Sequence, residues 1–215
     1  NPEHLRGLTR RLYQGDRATR LQQEIILGIG GVRLLRALGV ETDVYHMNEG
    51  HCALLTLELL RERLAAGDPL TEAEAWVRDR CVFTTHTPVL AGHDRFDPHL
   101  FNEQTAAFRE ELGLPEYDVL SYGRVHPDDF QESFTMTVLG LKLSRHANGV
   151  SKLNGEVARA QWHSLYPDRP VADVPIGSIT NGIHLPTWTA QIGRDFLDRT
   201  LGDWMKNRMD PAFWL

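Results

Sequence analysis

The stretch VYHMNEGHCALLTLELL, Val44 to Leu60, packs two histidines, an asparagine and a glutamate into the six residues His46 to His51. An apolar run precedes this cluster and a helical one follows it. With Thr42 and Asp43, the segment up to Asn48 reads as a short buried strand. Glu49-Gly50 reads as a turn, and a helix is expected from about His51 to Ala65. In an extended strand His46 and Asn48 share one face, while His51 lies beyond the turn. Strand, polar exit, helix is the repeating unit of a parallel sheet wrapped by helices.

Upstream, Leu21, Ile25, Ile29, Val32 and Leu35 recur at helical spacing, so one helix is expected from Arg17 to Leu38. Asp16 suits its N-cap and Gly39 the residue after its end. The glycines of GIGG, Gly28 to Gly31, follow helical rather than strand sequence, and Arg33 stands where a dinucleotide fingerprint needs glycine. They read instead as places where another backbone comes close.

Downstream, a helix is expected over Thr71–Arg80, with Thr71 and Glu74 forming a capping pair. CVFTTHTP is a β-branched strand stopped by Pro88, and HTPVLAGHDRFDPHLF is its exit loop. A helix follows from about Asn102 to Leu112. LPEYDVLSYGRVHPDD is irregular, ESFTMTVLGLKLSRHA a helix, NGVSKLN a strand and turn, and GEVARAQWHSLYP a helix. One more strand is expected at Ile176–Thr180. The unit recurs about four times, which predicts an α/β fold with a parallel, Rossmann-like sheet. Ligands of such sheets bind outside the carboxyl ends of the strands. Those ends are Asn48 to His51, Thr85 to Thr87, Asn148 to Asn154, and Thr180 to Gly182.

The strand ends carry neutral or weakly charged hydrogen-bonding groups, which suit a polyhydroxylated ligand. Each also has a plain structural explanation: Asn48 can end a strand, Glu49 favours a helix N-terminus, and Asn181-Gly182 is a common turn pair. Zinc fits poorly, because His46, Glu49 and His51 read H-x-x-E-x-H across a strand and a helix start. Nucleophilic hydrolysis fits poorly too, because no G-x-S-x-G elbow exists and Ser178 lacks the second glycine.

The 215 residues carry a formal net charge of −6, which argues against nucleic acid or an anionic membrane as main partner. Cationic residues are nearly all arginine; Lys142, Lys152 and Lys206 are the lysines. The two cysteines, Cys52 and Cys81, sit in apolar contexts, so free thiols in a reducing cytoplasm are expected. No run reaches the ~20 apolar residues of a membrane span. The N-terminus has no apolar signal region and no methionine, so an internal piece of a longer protein is expected.

LYQGDRATRLQQEIILGIGGVRLLRALG, YHMNEGHCALLTLELL, VFTTHTPVLAGHDRF, LKLSRHANGVSKLNGEVARAQW and ITNGIHLPTW together resemble the α-glucan (glycogen, maltodextrin) phosphorylases of short bacterial type. The resemblance covers most of residues 8–190, and LGDWMKNRMDPAFW also fits that type. It implies the GT-B fold of two Rossmann-like domains. Residues 1–190 would be the later part of the first domain, and 191–215 a helical segment crossing toward the second. It implies phosphorolysis of terminal α-1,4-glucosyl units to glucose 1-phosphate, with retention. The partners would be glucan and inorganic phosphate, the cofactor pyridoxal phosphate on a lysine of the second domain, and the parent homo-oligomeric.

Residue by residue, His86 matches the catalytic histidine over the glucosyl unit. It would bond the sugar's 6-hydroxyl and place its carbonyl near the charge developing at the anomeric carbon. Asn181 matches the asparagine on the same hydroxyl. Glu49, where many members have aspartate, and His51 would border the glucan side. Thr87 neighbours His86, and Trp188 matches a tryptophan near the cofactor. The cofactor lysine is not in this chain, so the chain alone is expected to be inactive. A nucleotide-sugar glucosyltransferase of the glycogen or starch synthase kind and a non-catalytic glucan-binding module are the alternatives. A domain cut within its sheet should also leave an open edge and an uncovered apolar face.

Overall fold

A computed structural model describes residues 3–11 and 16–215. The first four residues of the resembling segment LYQGDRATR, 12–15, lie outside the described residues. By its contacts the chain forms two compact units, Asn1–Thr180 and Asn181–Leu215.

In the first unit, α1 (Arg17–Ile25) starts where Asp16 accepts a hydrogen bond from the Thr19 amide at 2.7 Å. The expected single helix is interrupted by a π-helical turn, Ile26–Gly30, before α2 (Gly31–Ala37). The cause lies at Gly28: a Cβ there would stand 2.8 Å from the Leu55 amide nitrogen. The helix is pressed against the start of its neighbour, and the widened turn accommodates the approach. Gly39 ends the segment at φ +67°, which glycine adopts without steric cost.

Strand β1 (Tyr45–Asn48) alternates, with Tyr45 and Met47 in the core and His46 and Asn48 outward. The helix expected from His51 begins later. A 3-10 turn, Gly50–Cys52, leads into α3 (Leu55–Ala65), whose Leu57, Leu59 and Leu60 are fully buried. In α4 (Leu70–Arg80) the Thr71–Glu74 capping pair is not formed. Pro69 occupies the cap position without a side-chain bond, and Glu74 accepts from the Tyr122 hydroxyl instead.

β2 (Cys81–Thr85) follows directly, then a short β3 (Arg95–Phe96). α5 (Pro98–Leu112) starts four residues earlier than its apolar pattern suggests, because Asp97 caps His99 and Leu100 and Pro98 presets the first turn. The chain continues through α6 (Glu116–Ser121), β4 (Phe134–Thr135), α7 (Met136–Lys142), β5 (His146–Gly149), α8 (Lys152–Gln161) and β6 (Ile176–Ser178). Ser151 caps α8, so the helix opens at Lys152 rather than Gly155.

The main sheet has the order β1-β2-β5-β6, with every pairing parallel. The expected α/β class and parallel sheet are therefore observed. β3 and β4 form a separate antiparallel pair. Phe83 of β2 is fully buried beneath α7, packed so closely on Gly140 that a methyl there would collide with the ring. Among the described residues β1 is paired on one side alone, and Ile26, Leu27, Leu34 and Leu38 are exposed. An open edge and an apolar face are thus present.

The second unit holds α9 (Leu185–Trp188), α10 (Gln191–Leu201) and α11 (Trp204–Asn207). The Trp204 indole N–H donates to Asp198 at 2.8 Å, tying α11 to α10. Among the described residues no helix is long and apolar enough to cross a membrane.

Candidate functional site

Parallel register aligns Asn48, Thr84 and Asn148 across the carboxyl edge of the sheet. The Thr84 hydroxyl donates to Asn148 Oδ1 at 3.1 Å and lies 2.8 Å from His46 Nε2. His46 is thereby committed to the sheet, as its place on the outer face of β1 suggests.

One step further out, His86 is held at three points. Its Nε2 lies 2.6 Å from Asn48 Oδ1, its amide donates to Glu49 Oε2 at 2.7 Å, and its carbonyl faces Asn154 Nδ2 at 3.5 Å. With the Asn48 amide oxygen as acceptor, the ring proton sits on Nε2 and Nδ1 keeps a free lone pair. The ring is exposed while its backbone is anchored. Thr87 donates to Glu49 through its amide at 3.0 Å and its hydroxyl at 2.9 Å. Glu49 itself is buried. Asn48, Glu49, His86 and Thr87 therefore form one wall.

His51 belongs to a second, charged wall. Its Nδ1 lies 2.5 Å from Arg20 Nη2, 3.3 Å from Asp94 Oδ2 and 3.8 Å from Glu24 Oε1. Arg20 also contacts Glu24 at 2.8 Å and Asp94 at 2.9 Å. Hydrogen bonding to Asp94 and Glu24 pushes His51 up to about 9. Burial pushes the Glu24 carboxyl up to about 7. The Asp94 carboxyl is also raised by burial, but bonds to His51, Glu24 and Arg20 outweigh this and hold it far below the usual range. Arg20 can donate to Nδ1 only while that atom lacks a proton, whereas the carboxylates favour the protonated ring. Arg20 and the two carboxylates thus compete for the same ring nitrogen of His51.

Glu24, His51 and Asp94 offer ligand atoms within 4.8 Å of one another, the set among the described residues with metal-like spacing. It contains neither His46 nor Glu49, so the H-x-x-E-x-H reading does not converge. Arg20 already supplies the positive charge among these carboxylates.

The sequence did not single out Arg20, Glu24 or Asp94. The Arg20–Glu24 spacing of four was the available signal; Asp94 comes from the distant β2 exit loop. Asn181 and Trp188, both exposed, lie in the second unit. Cys52 and Cys81 are free, and burial raises both thiols, which makes neither a ready nucleophile.

No family model matches the chain. Glycogen phosphorylase of Mycobacterium tuberculosis is 44% identical over 238 residues, covering 100% of this chain and 27% of the relative. Maltodextrin phosphorylase of Thermococcus litoralis is 39% identical, covering 89% of this chain and 22% of the relative. Glycogen phosphorylase of Aquifex aeolicus is 33% identical, covering 92% and 28%. This chain is a relative of the glycogen and maltodextrin phosphorylases. It spans about a quarter of the length of these curated relatives. Both walls fall inside the stretch shared with the Mycobacterium tuberculosis protein, whose match covers the whole chain.

Proposed function

We propose that this chain is a portion of an α-glucan phosphorylase, a cytoplasmic glycosyltransferase. The parent would release terminal α-1,4-glucosyl units of glycogen or maltodextrin as glucose 1-phosphate, with retention. In this reading residues 1–190 belong to the first domain of a GT-B fold, and 191–215 lead toward the second. The observation that carries it is His86, anchored through its backbone and Asn48 with its ring exposed at the carboxyl edge of a parallel sheet.

The chemistry follows from that geometry. Nδ1 of His86 accepts from the sugar's 6-hydroxyl, because Nε2 is committed to Asn48. Breaking a glycosidic bond leaves positive charge at the anomeric carbon. The His86 carbonyl offers a fixed dipole to that charge without reorganising at the moment of reaction. His51 and Thr87 border the glucan side, and Glu49 borders it through the residues that its buried carboxylate holds. Asn181 and Trp188, in the second unit, enter this reading only through the resemblance, Asn181 as a sugar-binding residue and Trp188 as a residue near the cofactor.

Pyridoxal phosphate needs a lysine amine presented inside a pocket, and the lysines here are either committed to other partners or exposed on the surface. Lys142 Nζ donates to the carbonyls of Ser121 at 2.8 Å and Arg124 at 2.6 Å. Lys206 pairs with Asp203 at 3.1 Å, and Lys152 is exposed on the first turn of α8. The cofactor lysine therefore belongs to another part of the parent. Glucose 1-phosphate release from maltoheptaose and phosphate by the complete protein tests the reading. Turnover is expected in the complete protein, loss of at least a hundredfold in His86→Ala, and none in the 215-residue chain alone. Turnover of a nucleotide-sugar and none with phosphate would replace it with the synthase reading.

A further inference from the structure

Glu49 is the non-glycine residue with positive φ among the described residues, at φ 72° and ψ 174°. That region is essentially reserved for glycine, so an L side chain persists there only when its surroundings over-determine it. They do so here. The Glu49 amide donates to the Thr84 carbonyl at 2.8 Å, and its carboxylate is aimed at the β2 exit. Oε2 accepts from the His86 amide at 2.7 Å, the Thr87 amide at 3.0 Å and the Thr87 hydroxyl at 2.9 Å. Oε1 accepts from the Thr85 hydroxyl at 3.3 Å. All four donors come from three consecutive residues, and the side chain is only 10% exposed. Little of this carboxylate remains to meet a ligand.

The Thr87 amide and the His86 carbonyl belong to the same trans peptide, so N–H and C=O point in opposite directions. A carboxylate on that N–H fixes the direction of the carbonyl and polarises it toward oxygen. We infer that Glu49 is a positioning residue that acts on the reaction through the His86–Thr87 peptide, aiming and strengthening the His86 carbonyl, rather than by touching glucan. The inference rests on the phosphorylase reading for the charge that this carbonyl faces.

The test uses the complete protein that carries this chain, with Glu49→Gln and Glu49→Asp. Glutamine keeps the size but removes the negative charge from the His86 and Thr87 amides, leaving weaker neutral hydrogen bonds. Its kcat per folded molecule should fall about ten- to a hundredfold with KM for maltoheptaose within twofold, because the lost help exists in the transition state. Aspartate, which restores the carboxylate, should recover most of that kcat. In parallel, hydrogen exchange at the His86 and Thr87 amides should quicken at least tenfold in Glu49→Gln and return toward wild type in Glu49→Asp. Unchanged exchange overturns the inference whatever the activity. A raised KM with unchanged kcat overturns it in favour of direct glucan contact. A drop that tracks only the folded fraction overturns it in favour of a structural role. Wild-type phosphorolysis is measured first, so its absence sinks the parent reading, while active wild type with equally active Glu49→Gln sinks only this inference.

Discussion

Two walls meet around Gly50, and they are held together by different physics. The wall of Asn48, Glu49, His86 and Thr87 is directional: two amides and one hydroxyl converge on one carboxylate oxygen at distances of 2.7–3.0 Å. The wall of Arg20, Glu24, His51 and Asp94 is ionic, with Glu24 1% exposed and opposite charges interleaved. Breaking the first should misdirect a peptide while the fold survives. Breaking the second should strand a buried charge and weaken the fold. Orientation and stability are thus assigned to neighbouring but separable sets of residues.

The largest effect expected from breaking the ionic wall is that of Arg20→Met. It leaves Glu24 and Asp94 to His51 and, for Asp94, the exposed Arg17, so the loss should lie at the low end of the about 3–5 kcal/mol that a stranded buried charge costs. Urea unfolding of wild type and variant measures it, and a change below about 1 kcal/mol would mean that the carboxylates find other company. Arg20→Lys should recover only part, because one ammonium cannot reproduce the forked contacts to both acids. Gly28→Ala comes next. Its methyl would meet the Leu55 amide nitrogen at 2.8 Å and Leu54 Cβ at 2.9 Å, in the turn that follows the helix carrying Arg20 and Glu24. Overpacking of this kind costs about 1–3 kcal/mol, read as a lower urea midpoint at unchanged slope.

On the directional side, Thr84→Val keeps the shape of β2 and removes the hydroxyl between His46 and Asn148. A net loss of about 1–2 kcal/mol is expected from one donor and one acceptor left partnerless. The same unfolding series should therefore rank Thr84→Val below Arg20→Met. The reverse order would mean that the sheet edge, not the ion cluster, carries the stability of this region.

The same contrast explains what the sequence could disclose. Alternation in β1 and the β-branched run of β2 specify two parallel strands, and register then brings Asn48 beside Thr84 and on toward Asn148. The directional wall was legible because its members sit at successive strand ends. Even there, local reading missed that Glu49 turns inward. A left-handed backbone angle and contacts from residues 85–87 decide that, and neither has a local signature. The ionic wall draws on α1, the turn after β1 and the loop before β3, and no periodicity relates those three segments. Helix starts were misplaced wherever a cap overruled the apolar pattern, as Asp97 does for α5 and Ser151 for α8.

The smallest expected effect also separates the walls, because two members of the ionic wall are shifted, Glu24 up to about 7 and His51 up to about 9. His51 rises from 6.5 to about 9 through its carboxylate neighbours, so its stabilisation is complete below about pH 6.5 and is lost as pH climbs through 9. Glu24, raised by burial from 4.5 to about 7, has the same sign: the folded state holds its proton longer, and that advantage disappears as pH passes 7. Asp94 has the opposite sign, being held low, so its contribution is present above about pH 4 and lost in acid. The sum predicts a melting temperature highest in mildly acidic buffer and falling from pH 6 to pH 9. The His51 side chain is 34% exposed, so solvent screening should hold its share to about 1 kcal/mol or less. His51→Gln should flatten the fall between pH 7 and 9, while Thr84→Val should lower the whole curve and keep its slope. Equal slopes in wild type and His51→Gln, measured by thermal unfolding at both ends of that range, would remove His51 as the titrating member and with it the claim that the two walls respond to pH separately.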